Sequence, residues 1–444
     1  MADARPVRRA AAPARHNGTG GDRGRGQTHA EPFHTEAEPA DLLPRVLDTP
    51  ELFAAGAEVL AAGRGPFAVD TERASGFRYD DRVFLLQVRR RGAGTLLFAP
   101  EGHRGELTAA LAPVMTGADW IVHAAVTDLP PLAWLGLVPG RLFDTELAGR
   151  LLGYDRVNLG ALLENTLGVH LDKGHGQEDW STTPLPEDWL VYAEGDVAYL
   201  LELADFLAEA LDNEGKLDWA EQDFDHIIAT HTDPAPERDW KKTKGLRRLR
   251  RPRQLAVARA LWQAREDVAV AEDKNPAILL PDKALVSFAA AGVSDADRLL
   301  NTARLKPTQY RRVASRISLW AKTAAEALTS DPADWPRPAP RHDSIPPHSH
   351  WPEHHPQAAE AWERIHGELL ELSVELGMPV ENVATPKVLR RAVWESTEGH
   401  QLHSVSELVD FLVDYGVRDW QIELVVPAFT AAVFTADGGR RRGW

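Results

Sequence analysis

Five side chains from three separate parts of the sequence could together hold divalent metal ions. They are Asp70, Glu72, Asp128, Tyr192 and Asp196. Magnesium ions prefer hard oxygen ligands such as carboxylates. Two such ions about 3.5–4 Å apart can flank a phosphodiester, one activating the attacking water and the other stabilising the leaving oxygen. The residue types therefore indicate metal-assisted hydrolysis of a phosphodiester, provided that the fold brings the three parts together.

Each part taken alone has a simpler explanation. Asp70 and Glu72 end an apolar run and, being two residues apart, point to the same face of a predicted strand, but an isolated Asp-x-Glu is usually an exposed acidic turn. An acidic residue such as Asp128 is common in the first turn of a helix. Tyr192 and Asp196 are four residues apart in a helical pattern and so share one helix face. The metal hypothesis therefore depends on all three parts meeting.

Short apolar runs separated by turn residues predict five strands in the first structured block. They cover residues 67–69, 83–88, 95–98, 120–123 and 141–144. Three closely spaced strands followed by strand–helix units favour a mixed sheet with helices packed on it. Two later blocks, 252–328 and 358–434, carry apolar residues at spacings of three and four, which is typical of helices. The predicted fold is an α/β domain followed by two all-α domains.

Composition and charge exclude several classes of protein. The 444 residues carry 50 Lys and Arg against 66 Asp and Glu, a formal net charge of −16, and contain no cysteine. A disulfide scaffold, a zinc ribbon and a thiol nucleophile are therefore excluded. We find no apolar run long enough for a bilayer, no secretory signal and no G-x-x-x-x-G-K-[ST] loop. We expect a soluble, cytoplasmic protein of about three domains.

Positive charge is concentrated in one stretch despite the negative average. Residues 241–253 contain eight basic residues and no acidic one, namely Lys241, Lys242, Lys244, Arg247, Arg248, Arg250, Arg251 and Arg253. A solvated linker is one interpretation, because runs of like charge are usually exposed. A phosphate-contacting strip is the other, since clustered cations displace counterions from a polyanion. A second stretch, 331–356, is rich in proline and histidine and favours an extended linker over a metal site.

In combination, the acidic motifs resemble those of a known nuclease superfamily. Residues 69–72 (Val-Asp-Thr-Glu), His123 with residues 128–129 (Asp-Leu), and Tyr192-x-x-x-Asp196 are similar to the three motifs of the DEDD 3′–5′ exonucleases. The tyrosine four residues before the last aspartate is typical of the tyrosine subclass of these enzymes. The combination is specific, whereas any one motif alone is weak.

The surrounding sequence resembles the ribonuclease D family in particular. The similar segments are residues 171–173, 179–180, 184–185 and 192–201. The helical block 252–328 resembles the HRDC domain, a nucleic-acid-binding module that follows the exonuclease in this family, and block 358–434 resembles a second such domain. The resemblance implies a ribonuclease H-like mixed sheet for the first block.

We therefore divide the chain into seven segments. They are a disordered tail (1–40), a 3′–5′ exonuclease domain (41–232), a basic linker (233–251), an HRDC domain (252–328), a Pro- and His-rich linker (329–357), a second HRDC-like domain (358–434) and a tail (435–444).

The resemblance also implies roles for the candidate residues. Asp70 would bridge two divalent ions, Mg²⁺ or Mn²⁺, with Glu72 and Asp196 completing the first site. Asp128 would hold the second ion through water, and Tyr192 would orient the attacking water. The candidates for contact with nucleic acid are His123, Lys173, Lys241, Lys242, Lys244, Arg247, Arg248, Arg250 and Arg251.

Three positions depart from the family pattern. Thr183 stands where the family usually has arginine, which removes one phosphate or ion-pair partner. Gly195 replaces a more usual alanine and costs the helix about 1 kcal/mol. Arg73 follows Glu72 where an aromatic residue is frequent, so we expect a different wall beside the substrate.

The leading hypothesis is a metal-dependent 3′–5′ exoribonuclease that trims structured RNA such as tRNA precursors and releases 5′-monophosphates. Two alternatives stay open. The chain could be a DNA 3′–5′ exonuclease of repair or proofreading, because the same metal site cuts either backbone, or an RNA-binding scaffold that no longer cleaves. The expected partner is RNA with a free 3′ end, and neither an obligate protein partner nor a membrane is predicted.

Overall fold

The computed structural model describes residues 38–171, 174–233, 238–338 and 345–434. Residues 1–37 of the predicted N-terminal tail, Lys173 and the predicted C-terminal tail (435–444) lie outside the described residues.

Within this part of the chain, six strands form one mixed sheet. They are β1 (Val46–Leu47), β2 (Arg64–Arg73), β3 (Val83–Arg91), β4 (Gly94–Phe98), β5 (Asp119–Val122) and β6 (Arg141–Asp144). The order across the sheet is β1-β4-β3-β2-β5-β6. Strand β3 runs antiparallel to β2 and β4, whereas the pairs β1–β4, β2–β5 and β5–β6 are parallel. The predicted mixed sheet is confirmed, with β1 as an additional edge strand.

Helices cover both faces of this sheet and complete the α/β domain. They are α1 (Pro50–Ala62), α2 (Arg104–Met115), α3 (Leu129–Trp134), α4 (Thr145–Leu151), α5 (Leu159–Thr166), α6 (Glu187–Ala198), α7 (Leu200–Asn213) and α8 (Leu217–His231). Alternate residues of β3 and β4 divide between the faces, as strand geometry requires. Leu86 and Phe98 join the main core, while Leu85 and Leu97 pack with Leu190 of α6 in a smaller cluster.

Two helical domains follow. The first contains α9 (Pro252–Glu272), α10 (Pro276–Leu279), α11 (Asp282–Ala291), α12 (Ala296–Thr302), α13 (Pro307–Ala314) and α14 (Ile317–Thr329). The second contains α15 (Trp351–His354), α16 (Pro356–Glu375), α17 (Val380–Val383), α18 (Pro386–Thr397), α19 (Val405–Asp414), α20 (Asp419–Phe429) and a π-helical turn (Thr430–Phe434). The all-α prediction for both blocks is confirmed. In the described chain, no helix is both long and apolar enough to cross a membrane.

Buried side chains correct three of the predicted boundaries. Ala40 is buried and Glu38 pairs with Arg89, so the residues from 38 onward belong to the α/β domain rather than to the predicted tail (1–40). The predicted basic linker (233–251) contains two 3₁₀ turns, Trp240–Lys242 and Leu246–Arg248, and Leu246 is buried in the core of the first helical domain.

The Pro- and His-rich segment is also shorter than predicted. Trp351, inside the predicted linker (329–357), is fully buried in the core of the second helical domain, and α16 already begins at Pro356. Its indole donates to the Pro346 carbonyl at 3.0 Å. The residues from 345 onward therefore fold with the helical domain that follows.

The two helical domains are attached to the α/β domain in different ways. The second shares one continuous apolar core with it, whereas the first has a core of its own. The first domain meets the α/β domain through polar contacts that follow α9. Asp273 accepts hydrogen bonds from Arg82 at 2.7 and 3.0 Å, and the backbone N–H of Asn275 donates to the Phe77 carbonyl at 2.9 Å.

The contact between the α/β domain and the second helical domain contains a stacked tryptophan pair and a buried ion pair. Trp219 of α8 stacks on Trp420 of α20 with ring centroids 4.9 Å apart. One turn along α8, Asp223 pairs with Arg418, and the Asp223 side chain is 4% exposed. Because a buried charge that loses its partner is costly, this ion pair fixes the relative position of the two domains.

We predict that Arg418→Ala lowers the free energy of unfolding by about 3 kcal/mol, because it leaves Asp223 buried without its cation. Arg141→Ala provides the matched control, since Arg141 pairs with Glu221 at an exposed position and such pairs contribute less than about 1 kcal/mol. Urea unfolding followed by tryptophan fluorescence measures both variants. Equal losses of stability in the two variants would contradict the assignment.

Candidate metal centre

Strand β2 places two of the predicted carboxylates on one face of the sheet. In the antiparallel register, Asp70 lies opposite Gln87 of β3 and Glu72 lies opposite Leu85. Residues directly opposite each other share a face, and Leu85 belongs to the cluster beneath α6. Asp70 and Glu72 therefore project toward α6, as their spacing predicts.

Helix α6 supplies the third carboxylate and the phenol. Leu190, Ala193 and Val197 are buried and hold the helix on the sheet. Tyr192 and Asp196, one turn apart, are less buried, and the Tyr192 hydroxyl donates a hydrogen bond to the Asp196 carboxylate. The predicted pairing of these two residues on one helix face is thus present in the structure.

The three carboxylates converge. One oxygen each from Asp70, Glu72 and Asp196 lie within 4.8 Å of one another. They come from a strand and from a helix more than a hundred residues later, so only the tertiary fold brings them together. This cluster has the ligand chemistry that a hard divalent cation requires.

Asp128 lies beside this cluster, at the start of α3, and is not part of the three-oxygen group. Its carboxylate is buried and accepts hydrogen bonds from the hydroxyls of Thr71 and Thr127. The Arg73 guanidinium lies 3.6 Å away. The charge of Asp128 nevertheless raises the pKa of Asp70. Asp128 therefore interacts electrostatically with the three-carboxylate group although it is not part of it.

Burial and mutual repulsion make this cluster difficult to ionise. Burial first, then the charges of Asp128, Asp196 and Glu72, hold the pKa of Asp70 well above its usual range. Burial, followed by repulsion from Asp196 and Asp128, raises the pKa of Glu72 to about 9, and burial raises the pKa of Asp196 to about 7. Arg73 opposes the shift at Asp70 and Glu72. A bound cation would relieve the same repulsion.

Aromatic side chains fix Tyr192 in place. Its ring lies 5.8 Å from that of His175 and 6.4 Å from that of Trp180, centroid to centroid. Burial, followed by repulsion from Asp196, raises the pKa of the Tyr192 hydroxyl, which therefore keeps its proton as a hydrogen-bond donor. Sequence reasoning did not single out His175, because its contact with the tyrosine is made only in the fold.

Asp144 organises the turn that leads to Asp128, and sequence reasoning missed it. Its carboxylate accepts four backbone N–H groups, from Ala124, Ala125, Glu146 and Leu147, at 2.8–3.2 Å. Ala124 is in the left-handed conformation, with φ of 60°. An acidic residue before Thr-Glu is an ordinary helix cap, so its second role, holding the neighbouring turn, left no signal in the sequence.

His123, predicted to contact nucleic acid, is tied to the protein through one ring nitrogen. Its Nδ1 lies 2.9 Å from the Thr145 hydroxyl, and burial lowers the pKa of the imidazole to about 4. The side chain is therefore neutral at pH 7. A contact between His123 and nucleic acid stays a prediction.

A cleft of about 1230 Å³ lies between the α/β domain and the first helical domain. Its lining includes Arg73 and Thr127, the chain neighbours of Glu72 and Asp128, but none of the four carboxylates of the site. Arg73 donates to the Thr127 carbonyl at 2.8 Å. Trp134, which is 54% exposed, and Trp262 also line the cleft. Arg73, which stands where the family often has an aromatic residue, thus lines the wall of the cleft.

The basic strip is exposed. All eight basic side chains between residues 241 and 253 reach solvent, and none forms an ion pair with another described residue. They are Lys241, Lys242, Lys244, Arg247, Arg248, Arg250, Arg251 and Arg253. The charge of the strip is therefore available to an external polyanion.

Three family models match successive parts of the chain. Residues 44–212 match a model described as 3'-5' exonuclease, and residues 254–318 match the HRDC domain. Residues 344–433 match a model described as 3' to 5' exonuclease C-terminal domain. The resemblance of this last block to a second HRDC domain stays a prediction.

The chain is also similar to individual proteins. A ribonuclease D from Gluconacetobacter diazotrophicus is 36% identical over 188 residues, which are 40% of this chain and 46% of that protein. The chain thus matches about half the length of the curated relatives. The crystal structure of a protein from Bifidobacterium adolescentis is 33% identical, with a TM-score of 0.75 over 90% of this chain and 99% of that one.

A third similarity concerns the fold alone. The crystal structure of Escherichia coli RNase D, described as an exoribonuclease involved in structured RNA processing, is 22% identical, with a TM-score of 0.60 over 83% of this chain and 98% of that one. The exonuclease and HRDC matches lie in the order in which the folded domains occur. The chain therefore contains a 3′–5′ exonuclease domain followed by an HRDC domain, and it is similar to ribonuclease D proteins.

Proposed function

We propose that this protein is a metal-dependent 3′–5′ exoribonuclease. The observation that carries the proposal is the group of three carboxylates from β2 and α6, whose oxygens lie within 4.8 Å of one another. Tyr192 is hydrogen-bonded to one of them. The matches to ribonuclease D proteins support the choice of RNA as the polymer.

The residues present fit a pair of divalent cations. Asp70, Glu72 and Asp196 would hold the first ion, and Asp70 with Asp128 would hold the second, Asp128 through water because its oxygens already accept from Thr71 and Thr127. The bound ions would lower the pKa of the attacking water and neutralise charge on the phosphate. Carboxylate ligands suit Mg²⁺ and Mn²⁺ alike.

The chain's own groups would orient the reaction. The Tyr192 hydroxyl, fixed by His175 and Trp180, would hold the attacking water next to Asp196. Attack of that water on phosphorus breaks the bond to the 3′ oxygen of the preceding nucleotide. The products are a nucleoside 5′-monophosphate and an RNA shortened by one residue that again ends in a 3′ hydroxyl.

RNA would reach the site along the cleft and the basic strip. Exposed cations bind phosphates without regard to sequence, and the strip of residues 241–253 offers eight of them. Trp134 and Trp262 in the cleft provide aromatic surfaces for unpaired bases. Structured RNA such as tRNA precursors, with an unpaired 3′ end, is the substrate that this arrangement suits.

We expect Asp70→Asn and Asp196→Asn each to lower the rate of cleavage of 3′-labelled RNA by more than about 100-fold, because each removes a metal ligand. RNA affinity should stay within a few-fold of wild type, since most of the proposed phosphate contacts lie on the basic strip. The exposed Asp155→Asn is the control. Gel assays with and without EDTA, on RNA and on DNA of the same sequence, measure the effect.

Near-normal turnover in either variant would remove the metal-site argument. Preferential cleavage of DNA would assign the site to a DNA exonuclease, and no cleavage of either polymer by wild type would leave an RNA-binding scaffold.

We expect the melting temperature of the metal-free protein to fall as pH rises from 5 to 9. The pKa of Glu72 rises from about 4.3 in the unfolded chain to about 9 in the folded protein, so ionisation across this window costs folding free energy. Mg²⁺ should restore the melting temperature more at pH 8.5 than at pH 6. Calorimetry in EDTA and in Mg²⁺ tests this.

Asp70→Asn separates this effect from other titrating groups. The variant should show a shallower pH dependence and a smaller response to Mg²⁺ than wild type. An identical pH slope in the two proteins would show that the carboxylate cluster does not set it.

We expect the double substitution Arg247→Gln/Arg248→Gln to reduce the slope of log affinity for RNA against log salt concentration by about 1.4, because each lost phosphate contact to a single strand changes it by about 0.7. Arg141→Gln/Arg364→Gln removes the same charge from exposed positions elsewhere. Fluorescence anisotropy over a range of KCl concentrations measures the slopes. Equal slopes in the two double variants would identify the strip as a plain solvated segment.

A further inference from the structure

Gln87 is a fully buried carboxamide without a hydrogen-bond partner. Its exposed fraction is 0%, and among the described residues neither its Nε2 nor its Oε1 makes a hydrogen bond. Buried side-chain amides almost always have partners, because burying an unpaired polar group is costly. We therefore expect that Gln87 has a hydrogen-bond partner beside it in the working protein.

The position of Gln87 points to that partner. It lies in the middle of β3, directly opposite Asp70 of β2 on one side and Leu97 of β4 on the other. Opposite residues of antiparallel strands share a face and have Cβ atoms about 4.5–5.5 Å apart. Gln87 and Asp70 therefore project together under α6. The structure contains no hydrogen bond between them, but a rotation about the side-chain bonds of Gln87 would turn its amide toward the Asp70 carboxylate.

The Asp70 carboxylate also lacks a hydrogen-bond donor among the described residues. No described residue donates a hydrogen bond to its carboxylate, whereas Asp128 accepts from Thr71 and Thr127 and Asp196 accepts from Tyr192. An ionised carboxylate only accepts hydrogen bonds, and a glutamine Nε2 only donates them. Among the described residues, Asp70 and Glu72 are thus the acids of the cluster without a donor, and Asp70 lies next to a donor without an acceptor.

We propose that Gln87 is a positioning residue of the metal centre, whose Nε2 donates to the Asp70 carboxylate and fixes the orientation in which Asp70 binds a divalent cation. The inference rests on the proposed function, because it assumes that Asp70 is a metal ligand. Groups that orient metal ligands by hydrogen bonds typically change metal affinity by about 10–100-fold when removed.

Gln87→Met tests this assignment in the full-length protein. Methionine keeps the length of the side chain and removes both polar atoms. We expect Mn²⁺ affinity, measured by electron paramagnetic resonance without RNA, to fall by about 10-fold. The melting temperature of the metal-free protein should stay the same or rise, because an unpaired buried amide has been removed.

Leu97→Met is the matched control, since it alters the other neighbour of Gln87 on the same face without touching Asp70. It should leave Mn²⁺ affinity unchanged. Gln87→Leu provides a second variant without polar side-chain atoms. Gln87→Leu also lacks a donor toward Asp70, so it should weaken Mn²⁺ binding as well.

Two results would overturn the inference, and they are distinguishable. If Asp70→Asn abolishes Mn²⁺ binding while Gln87→Met and Gln87→Leu bind Mn²⁺ within two-fold of wild type, the metal site stands and Gln87 does not position Asp70. If Asp70→Asn binds Mn²⁺ as wild type does, the proposed metal site itself falls, and the role of Gln87 falls with it.

Discussion

Repulsion between buried carboxylates is the interaction around which the exonuclease domain is built. Burial raises the pKa values of Asp70, Glu72, Asp128 and Asp196, and repulsion within the group adds to the shifts of Asp70, Glu72 and Asp196. A site of this kind opposes folding, so the surrounding structure has to supply the stability. It does so through the apolar contacts of α6, whose buried residues hold the helix against the sheet while Asp196 faces the acids of β2.

One helical domain adds to the stability of the exonuclease domain, whereas the other borders its cleft. The second helical domain continues the core of the exonuclease domain, with Trp420 stacked on Trp219, and so adds to the stability of the whole unit. The HRDC domain has its own core and meets the exonuclease domain through polar contacts at Asp273. The cleft lined by Arg73 and Thr127, the chain neighbours of Glu72 and Asp128, lies at this polar boundary, where apolar packing does not have to fill the space.

Sequence reasoning recovered the strands and the acidic motifs because both depend on local patterns. Apolar runs locate the strands, and the spacing of Asp70 with Glu72 and of Tyr192 with Asp196 follows directly from strand and helix periodicity. Features that depend on distant partners were not predicted. Trp351 and Leu246 sit in stretches whose proline content or charge suggests linkers, yet distant apolar residues bury them.

Inside the site, too, contacts with residues distant in the sequence were not predicted. Arg73 was noted only as a departure from a pattern, and its position beside Asp128 arises from the turn that Asp144 holds. Strand β1 has two residues, too few to give a periodic signal. The donors and acceptors that orient the carboxylates come from neighbouring strands and turns, and no spacing in the sequence records such pairings.

Anomalous diffraction from a crystal soaked in Mn²⁺ would show whether these carboxylates bind metal, because it locates each ion independently of activity. We expect a strong peak between Asp70, Glu72 and Asp196, and a second one on the Asp128 side of Asp70. Absence of any peak among these carboxylates at saturating Mn²⁺ and pH 8 would contradict this expectation.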